Sequence, residues 1–355
     1  MERILVTGGA GFIGSCVVRR LVGVGKRVET LDALSYAGHT ESLGSALSAP
    51  NHRFEHADIR DRRALRQIIA LGRPDAVIHL AAESHVDRSI ESPMDFVATN
   101  VDGTVTMLEA ATEYWESMER AERERFRFLH VSTDEVYGSL GAEGAFTETS
   151  PYRPNSPYAA SKAASDHFAR AWHRTYGLPV VISHCSNNYG PYQMPEKLIP
   201  VVILAALEGR PILVYGDGRH VRDWLFVEDH VRALELILVG GKPGETYDIG
   251  ANAEMANIDL VRAICGRMDE LVPDSPYRPH ADLIEFVADR PGHDRRYAID
   301  SSRVRSELGW RPTVDLRAGL DLTLRWYLEN RWWWQEVREG GFEDRRRRGV
   351  RFGMV

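Results

Sequence analysis

Cysteine is scarce in this chain, and its spacing suits no metal. Cys16, Cys185 and Cys265 are scattered through 355 residues. They read as reduced, buried thiols of a cytoplasmic protein rather than as a zinc cluster or a disulfide framework, and no metal is expected. Long apolar runs are missing too. No stretch approaches the roughly 20 residues of a membrane span, and a strand expected from Arg3 leaves no room for a signal peptide. Positive charge is not in excess: Lys and Arg number 44 against 51 Asp and Glu, a net charge of -7. That balance argues against a nucleic-acid partner. It does not exclude an anionic small molecule, which needs only a local basic pocket. No internal repeat or low-complexity linker interrupts the chain. Its 43% hydrophobic and 27% charged content is that of a globular enzyme. The length implies one large domain and a smaller one.

What is present begins at the N-terminus. Residues 3–7 read as a short buried strand. Gly8-Gly9-Ala10-Gly11-Phe12-Ile13-Gly14 follows at once, ahead of an apolar helical run. Glycines at 8, 11 and 14 permit a tight turn and close backbone approach to a pyrophosphate. The helix opening at Phe12 and Ile13 supplies N–H donors and the positive end of a dipole. Glycines also simply make turns, but a strand before and a helix after favour dinucleotide binding. The second strand, 27–31, ends at Asp32. An acid roughly twenty residues past the glycines suits ribose hydroxyls and repels a 2′-phosphate, so NAD+ is expected over NADP+. The third strand, 54–57, delivers Asp58 to the adenine amino group and Ile59 to the ring face. The fourth, 76–82, ends through Leu80 in small Ala81 and Ala82, which let a cofactor lie across it. Ser84 and His85 in the next loop either face substrate or order that loop.

Residues 126–131 read as another buried strand. Thr133, Asp134 and Glu135 then sit at its carboxyl end, the edge where open parallel sheets handle ligands. The two acids are either chemistry, a helix cap or a solvated turn. Pro157 opens a run of helix formers, which puts Tyr158 and Lys162 at i and i+4 on one face. A nearby ammonium favours the phenolate, and a phenol that ionises near neutral pH is a usable base for a sugar hydroxyl. Strand and helix alternate up to this point. The fold class expected is α/β, a Rossmann-type doubly wound parallel sheet with a smaller mixed α/β substrate-binding domain.

After the strand 180–185 the alternation fades. The expected division is an NAD-binding domain over 1–185, a substrate domain over 186–330, and a C-terminal tail over 331–355. Parts of 212–250 are expected to return to the first domain. Asn187 lies in an amide- and tyrosine-rich turn suited to sugar and phosphate. Lys197 and Leu198 open a helix from which the lysine reaches a diphosphate. Gly216-Asp217-Gly218 reads as a hairpin-like turn. Arg222 is either a phosphate fork or the partner of Asp223. Asn257 is either a helix cap or a ligand contact. The basic loop from Arg290 through His293 to Tyr297 adds cations to the same anionic group. Trp332-Trp333-Trp334 reads as packing, and the basic run 345–348 as solvated.

Together these residues resemble the extended short-chain dehydrogenase/reductase superfamily and, within it, the dTDP-glucose 4,6-dehydratase family. The resemblance runs from Gly8 to about Trp334. It is carried most specifically by 132–138, 158–162, 186–193, 215–230 and 290–297. Asp134 followed by Glu135 is the pair that dehydratases carry; sister epimerases have small or hydroxyl residues there. The resemblance implies dehydration of a nucleotide sugar, dTDP-glucose, with bound NAD+ regenerated each turnover. Tyr158 and Lys162 would serve C4 oxidation with Thr133, Glu135 would take the C5 proton, and Asp134 would protonate the leaving hydroxyl. Asn187, Lys197, Arg222, Asn257 and Arg290 would surround the diphosphate, and Thr99 joins the cofactor set. A homodimer is implied, with a four-helix contact through 104–116 and 159–176. The chain departs from the resemblance at His184, where the family usually has arginine.

Overall fold

The structure is a computed structural model that describes the backbone of residues 1–347 and the side chains of residues 1–339. Twelve strands are described: β1 Arg3–Thr7, β2 Arg27–Asp32, β3 His52–His56, β4 Ala76–His79, β5 Arg127–Thr133, β6 Val180–Cys185, β7 Asn187–Tyr189, β8 Ile212–Tyr215, β9 Val221–Phe226, β10 Thr246–Ile249, β11 Glu254–Ala256 and β12 Ile284–Val287. Seven form one sheet in the order β10-β6-β5-β4-β1-β2-β3, with every neighbouring pair parallel. Buried apolar side chains cover both faces of this sheet. That is why β4 and β6 read as unbroken buried runs rather than alternating ones. The strand order reverses between β1 and β4, and ligands of doubly wound sheets bind at such a switch point.

Local chemistry sets the helices that frame this edge. Asp61 caps Arg62–Gly72 by accepting from the N–H groups of Arg63 and Ala64. Helix Pro157–Tyr176 starts with Ser156 as cap and Pro157 in its first turn, and stops at Gly177 in the left-handed region. β5 runs two residues past the expected end, so Thr133 is the last strand residue. Asp134–Tyr137 follow as one 3-10 turn.

Two expectations fail. Gly216-Asp217-Gly218 does not join a hairpin. β8 pairs in parallel with β12, whereas β9 pairs with β7 and β11. Glycines at φ 59 and 70 let the chain turn, but the partner of each strand is decided by distant segments. Nor does the C-terminal segment begin as a tail. Arg331–Arg347 is helical, and Trp333, Trp334 and Val337 are buried in the second core with Tyr327 and Leu324. Trp333 Nε1 donates to Ser42 Oγ at 3.2 Å. The aromatic run therefore fastens this helix to the first half of the chain. The basic run 345–348 lies outside the described side chains.

Candidate active site

A cavity of about 480 Å3 opens at the carboxyl edge of the sheet over the switch point. Its floor on one side is bare backbone. Gly8 has φ 69, and a Cβ there would lie 2.7 Å from Ala81 Cα; a Cβ on Gly14 would lie 2.0 Å from the Gly8 carbonyl oxygen. Only glycine fits either position. Gly11, Phe12, Ile13, Leu80, Ala81, Ala82 and Thr99 line the same half, with Asp32, Asp58 and Ile59. Asp32 accepts from Ala10 N at 2.9 Å and Leu34 N at 2.8 Å, bonds that hold its carboxylate at the end of β2. Burial pushes that carboxyl upward, and the two N–H donors pull it back. Asp58 carries a partner of its own. Its carboxylate is bound by Arg60 at 2.6 Å, which holds it below the ordinary value. Ile59 packs so tightly on Gly103 that a Cβ there would lie 2.5 Å from it. Glycine backbone, a carboxylate at the second strand end and flanking apolar side chains are the donor set of a dinucleotide cradle. The residues present fit NAD+.

The other half holds Thr133, Asp134, Glu135, Tyr158 and Lys162. Asp134 is buried, with Oδ2 lacking a partner. Burial, and then Glu135 beside it, push its carboxyl well above the usual range. Glu135 is raised by burial as well, but Arg290, Lys197 and Arg222 pull it down. Both carboxyls are therefore held up, Asp134 by its neighbour as well as by burial, and Glu135 against the pull of three cations. Thr133 Oγ1 contacts Asp134 Oδ1 at 3.3 Å and accepts from Glu135 N at 3.3 Å.

Tyr158 departs from expectation. Burial and Glu135 push its phenol well above the usual value, against a hydrogen bond with Thr133. Lys162 Nζ donates to the Val131 carbonyl at 2.9 Å.

Ser84, Asn187, Lys197 and Leu198 also line the cavity. Lys197 Nζ donates to Ser84 O at 3.0 Å, joining the two halves of the chain. His85 caps helix Val86–Glu91, accepting from Arg88 N. The remaining predicted residues stand behind the cavity wall. Arg222 donates to the carbonyls of Val221 and Asp294 and lies 4.3 Å over the Tyr297 ring. It is not the partner of Asp223, whose carboxylate is taken by Ala251 N and Ala253 N. Arg290 reaches Asp87 at 3.4 Å while its Nε has no partner. Asn257 is the first residue of its helix, and the cap is Ala256. Its Oδ1 is buried without a partner. His293 stacks on His220 at 3.7 Å with Asp289 across both rings. These three side chains are close enough to suggest a metal. An ion must lie in the plane of each imidazole that binds it, however, and rings stacked 13° from parallel share no such point.

Comparison with known proteins narrows the class. The chain matches the family described as GDP-mannose 4,6 dehydratase over residues 5–323. It is 57% identical over 353 residues to the probable dTDP-glucose 4,6-dehydratase of Sinorhizobium fredii, covering 99% of each chain. The chain belongs to the dTDP-glucose 4,6-dehydratase family. The enzyme of that name from Neisseria meningitidis is 55% identical, covering 96% of this chain and 98% of the relative. DesIV, the dTDP-glucose 4,6-dehydratase of Streptomyces venezuelae crystallised with NAD bound, superposes with a TM-score of 0.85 at 47% identity, over 94% of this chain and 99% of DesIV.

Sequence reasoning missed several lining residues of this dehydratase: Cys185, Ser186, Met194, Glu196 and Trp224. Trp224 arrives through the pairing of β7 with β9, which sets it opposite Asn187. No local pattern announces such a contact. Glu196 carries a weak signal, an acid immediately before the helix-opening Lys197.

Proposed function

We propose that the chain converts dTDP-glucose to dTDP-4-keto-6-deoxyglucose and water, with NAD+ held in the glycine cradle. The observation that carries this reading is the pair Asp134 and Glu135, adjacent buried acids with different charged neighbours, in one cavity with Tyr158 and Lys162. NAD+, held by Gly8, Gly11, Gly14 and Asp32, would supply a hydride acceptor for C4 and the hydride that C6 receives. Tyr158 Oη takes the proton of the C4 hydroxyl, and the Thr133 hydroxyl steadies the charge that develops. Lys162 orients the nicotinamide ribose and adds positive charge. The C4 ketone acidifies C5. Glu135, which three cations favour as carboxylate, removes the C5 proton. Asp134, which burial and Glu135 favour as the acid, protonates the C6 hydroxyl, and water leaves. Glu135 then returns its proton to C5, and a proton passed from Tyr158 to Asp134 resets the pair. Ser84, Asn187, Lys197, Leu198, Arg222, Asn257, Arg290, His293 and Tyr297 form the nucleotide-sugar side. The unpartnered polar atoms of Asn187, Asn257 and Arg290 support this.

Incubation of purified protein with dTDP-, UDP-, CDP- and GDP-hexoses tests the reading. The expected product, from dTDP-glucose, is lighter by one water and gains ultraviolet absorbance in base. A product of unchanged mass, or one lighter by carbon dioxide, overturns it.

The chain is also proposed to act as a homodimer in the cytoplasm. Phe168 and Tyr176 are exposed on helix Pro157–Tyr176, forming an aromatic ridge with Trp172. The thiols are free and buried, which suits a reducing compartment. No described helix is long and apolar enough to cross a membrane. Sedimentation should give about twice the 40.0 kDa chain mass, and Phe168→Glu should shift it to the monomer. A parent that sediments as a monomer removes the dimer.

A further inference from the structure

Directly behind the acids lies a buried polar cluster that the reaction does not use. His184 in β6 is wholly buried, and each of its ring nitrogens faces a carboxylate. Nδ1 is 3.0 Å from Asp248 Oδ1, and Nε2 is 3.1 Å from Asp166 Oδ2. A neutral imidazole has a proton on only one nitrogen, so it cannot donate on both sides. Two tyrosines close the cluster. Tyr137 Oη lies 2.8 Å from Nδ1 and donates to Asp248 Oδ1 at 3.0 Å. Tyr152 Oη lies 3.0 Å from Nε2 and donates to Asp166 Oδ2 at 3.2 Å.

Each partner belongs to an element that presents a reacting group. Asp166 is on the helix of Tyr158 and Lys162, about two turns past the first and one past the second. It also accepts from Ser132 Oγ at 3.0 Å, one residue before Thr133. Tyr137 ends the turn that starts with Asp134 and Glu135. Asp248 is on β10, hydrogen-bonded to β6.

We propose that His184 is a positioning residue: as an imidazolium bridging Asp166 and Asp248, it fixes the helix of Tyr158 and Lys162 against the turn of Asp134 and Glu135. Losing the ring charge leaves two buried carboxylates without their shared cation, and the two elements shift independently. The other titratable groups facing the ring are Tyr137, Tyr152 and, through Asp166, His130 at 2.9 Å. Glu148 lies on the far side of Asp248, with Arg170 and Arg303 acting from beyond Tyr152 and Glu148. Burial disfavours the charged ring, but the two aspartates outweigh it and hold His184 up at about 9. Burial lowers His130, which keeps it the neutral donor.

The inference rests on the dehydratase reading, so its test has one arm without turnover. In protein labelled with nitrogen-15 at histidine, both ring nitrogens of His184 should carry protons at neutral pH. His184→Gln should lose kcat on the order of 10- to 100-fold, the cost of a small misplacement, with KM within about threefold and bound NAD retained. His184→Arg should restore most of kcat and remove the part of its alkaline decline that tracks ring deprotonation near 9. A ring with one proton at neutral pH overturns the inference. So does a Gln variant with kcat within about twofold of the parent, or one that loses NAD and fold together with activity. If His184→Arg fails to fold, the ring signals and the Gln variant decide. A parent that makes no 4-keto product sinks the dehydratase reading instead and leaves the ring result standing.

Discussion

Asp134→Asn is expected to slow elimination of water by on the order of 10²-fold or more, while C4 oxidation stays within about tenfold of the parent. Asparagine keeps the size of the protonated acid and can still hydrogen-bond, but it has no proton to transfer. Thr133 and Tyr158 keep their places, so the first step survives. In a single turnover, reduced nicotinamide absorbance should build up and persist, where in the parent it is transient. The fold should survive as well. The unfolded carboxyl ionises near the ordinary 3.8, whereas burial and Glu135 keep the folded one protonated to higher pH. The unfolded state therefore releases its proton first, and parent stability falls as pH rises above that value. The Asn variant escapes this loss and should melt no lower than the parent at neutral pH. Equal loss of oxidation and elimination would remove Asp134 from the role of acid.

Gly14→Ala should be the most damaging small substitution in the cradle. By helix propensity alone it should stabilise by about 1 kcal/mol, since Gly14 lies inside a helix. The added Cβ would, however, lie 2.0 Å from the Gly8 oxygen and 2.9 Å from Gly9 Cα. Both are backbone atoms, which cannot swing aside as a side chain can. Overpacking of this kind costs about 3 kcal/mol or more and outweighs the propensity gain. A Tm lower by roughly 5 °C or more and purification without NAD are expected. A variant that keeps its cofactor and melts with the parent would show that the turn has room to spare and is not a close-fitting cradle.

The glycine turn, Asp32 at a strand end and the Tyr158–Lys162 spacing were legible because each rests on short-range geometry. A turn, a strand end and one helical turn are all set within a few residues. The acids after β5 were legible for the same reason. Sequence placed both at a carboxyl edge, and the parallel sheet places that edge at the cavity. What the sequence left open is what each side chain faces and which strands pair. Lys162 has the right spacing, and only the fold seats its Nζ against Val131 O. Asp58 has the right position, and only the fold pairs it with Arg60. Gly216 to Gly218 look like a hairpin turn, yet the strands on either side join different sheets.

The amino-acid sequence by itself determined the alternating parallel sheet, the glycine cradle and which residue types stand at the strand ends. Periodicity and backbone sterics act within a few residues, so they can be read along the chain. Only the tertiary structure set the different surroundings of the two neighbouring acids. Those depend on burial and on Arg222, Lys197 and Arg290, cations far away in the chain. Charges from distant segments converge through space, and their distances are not written in the order of residues.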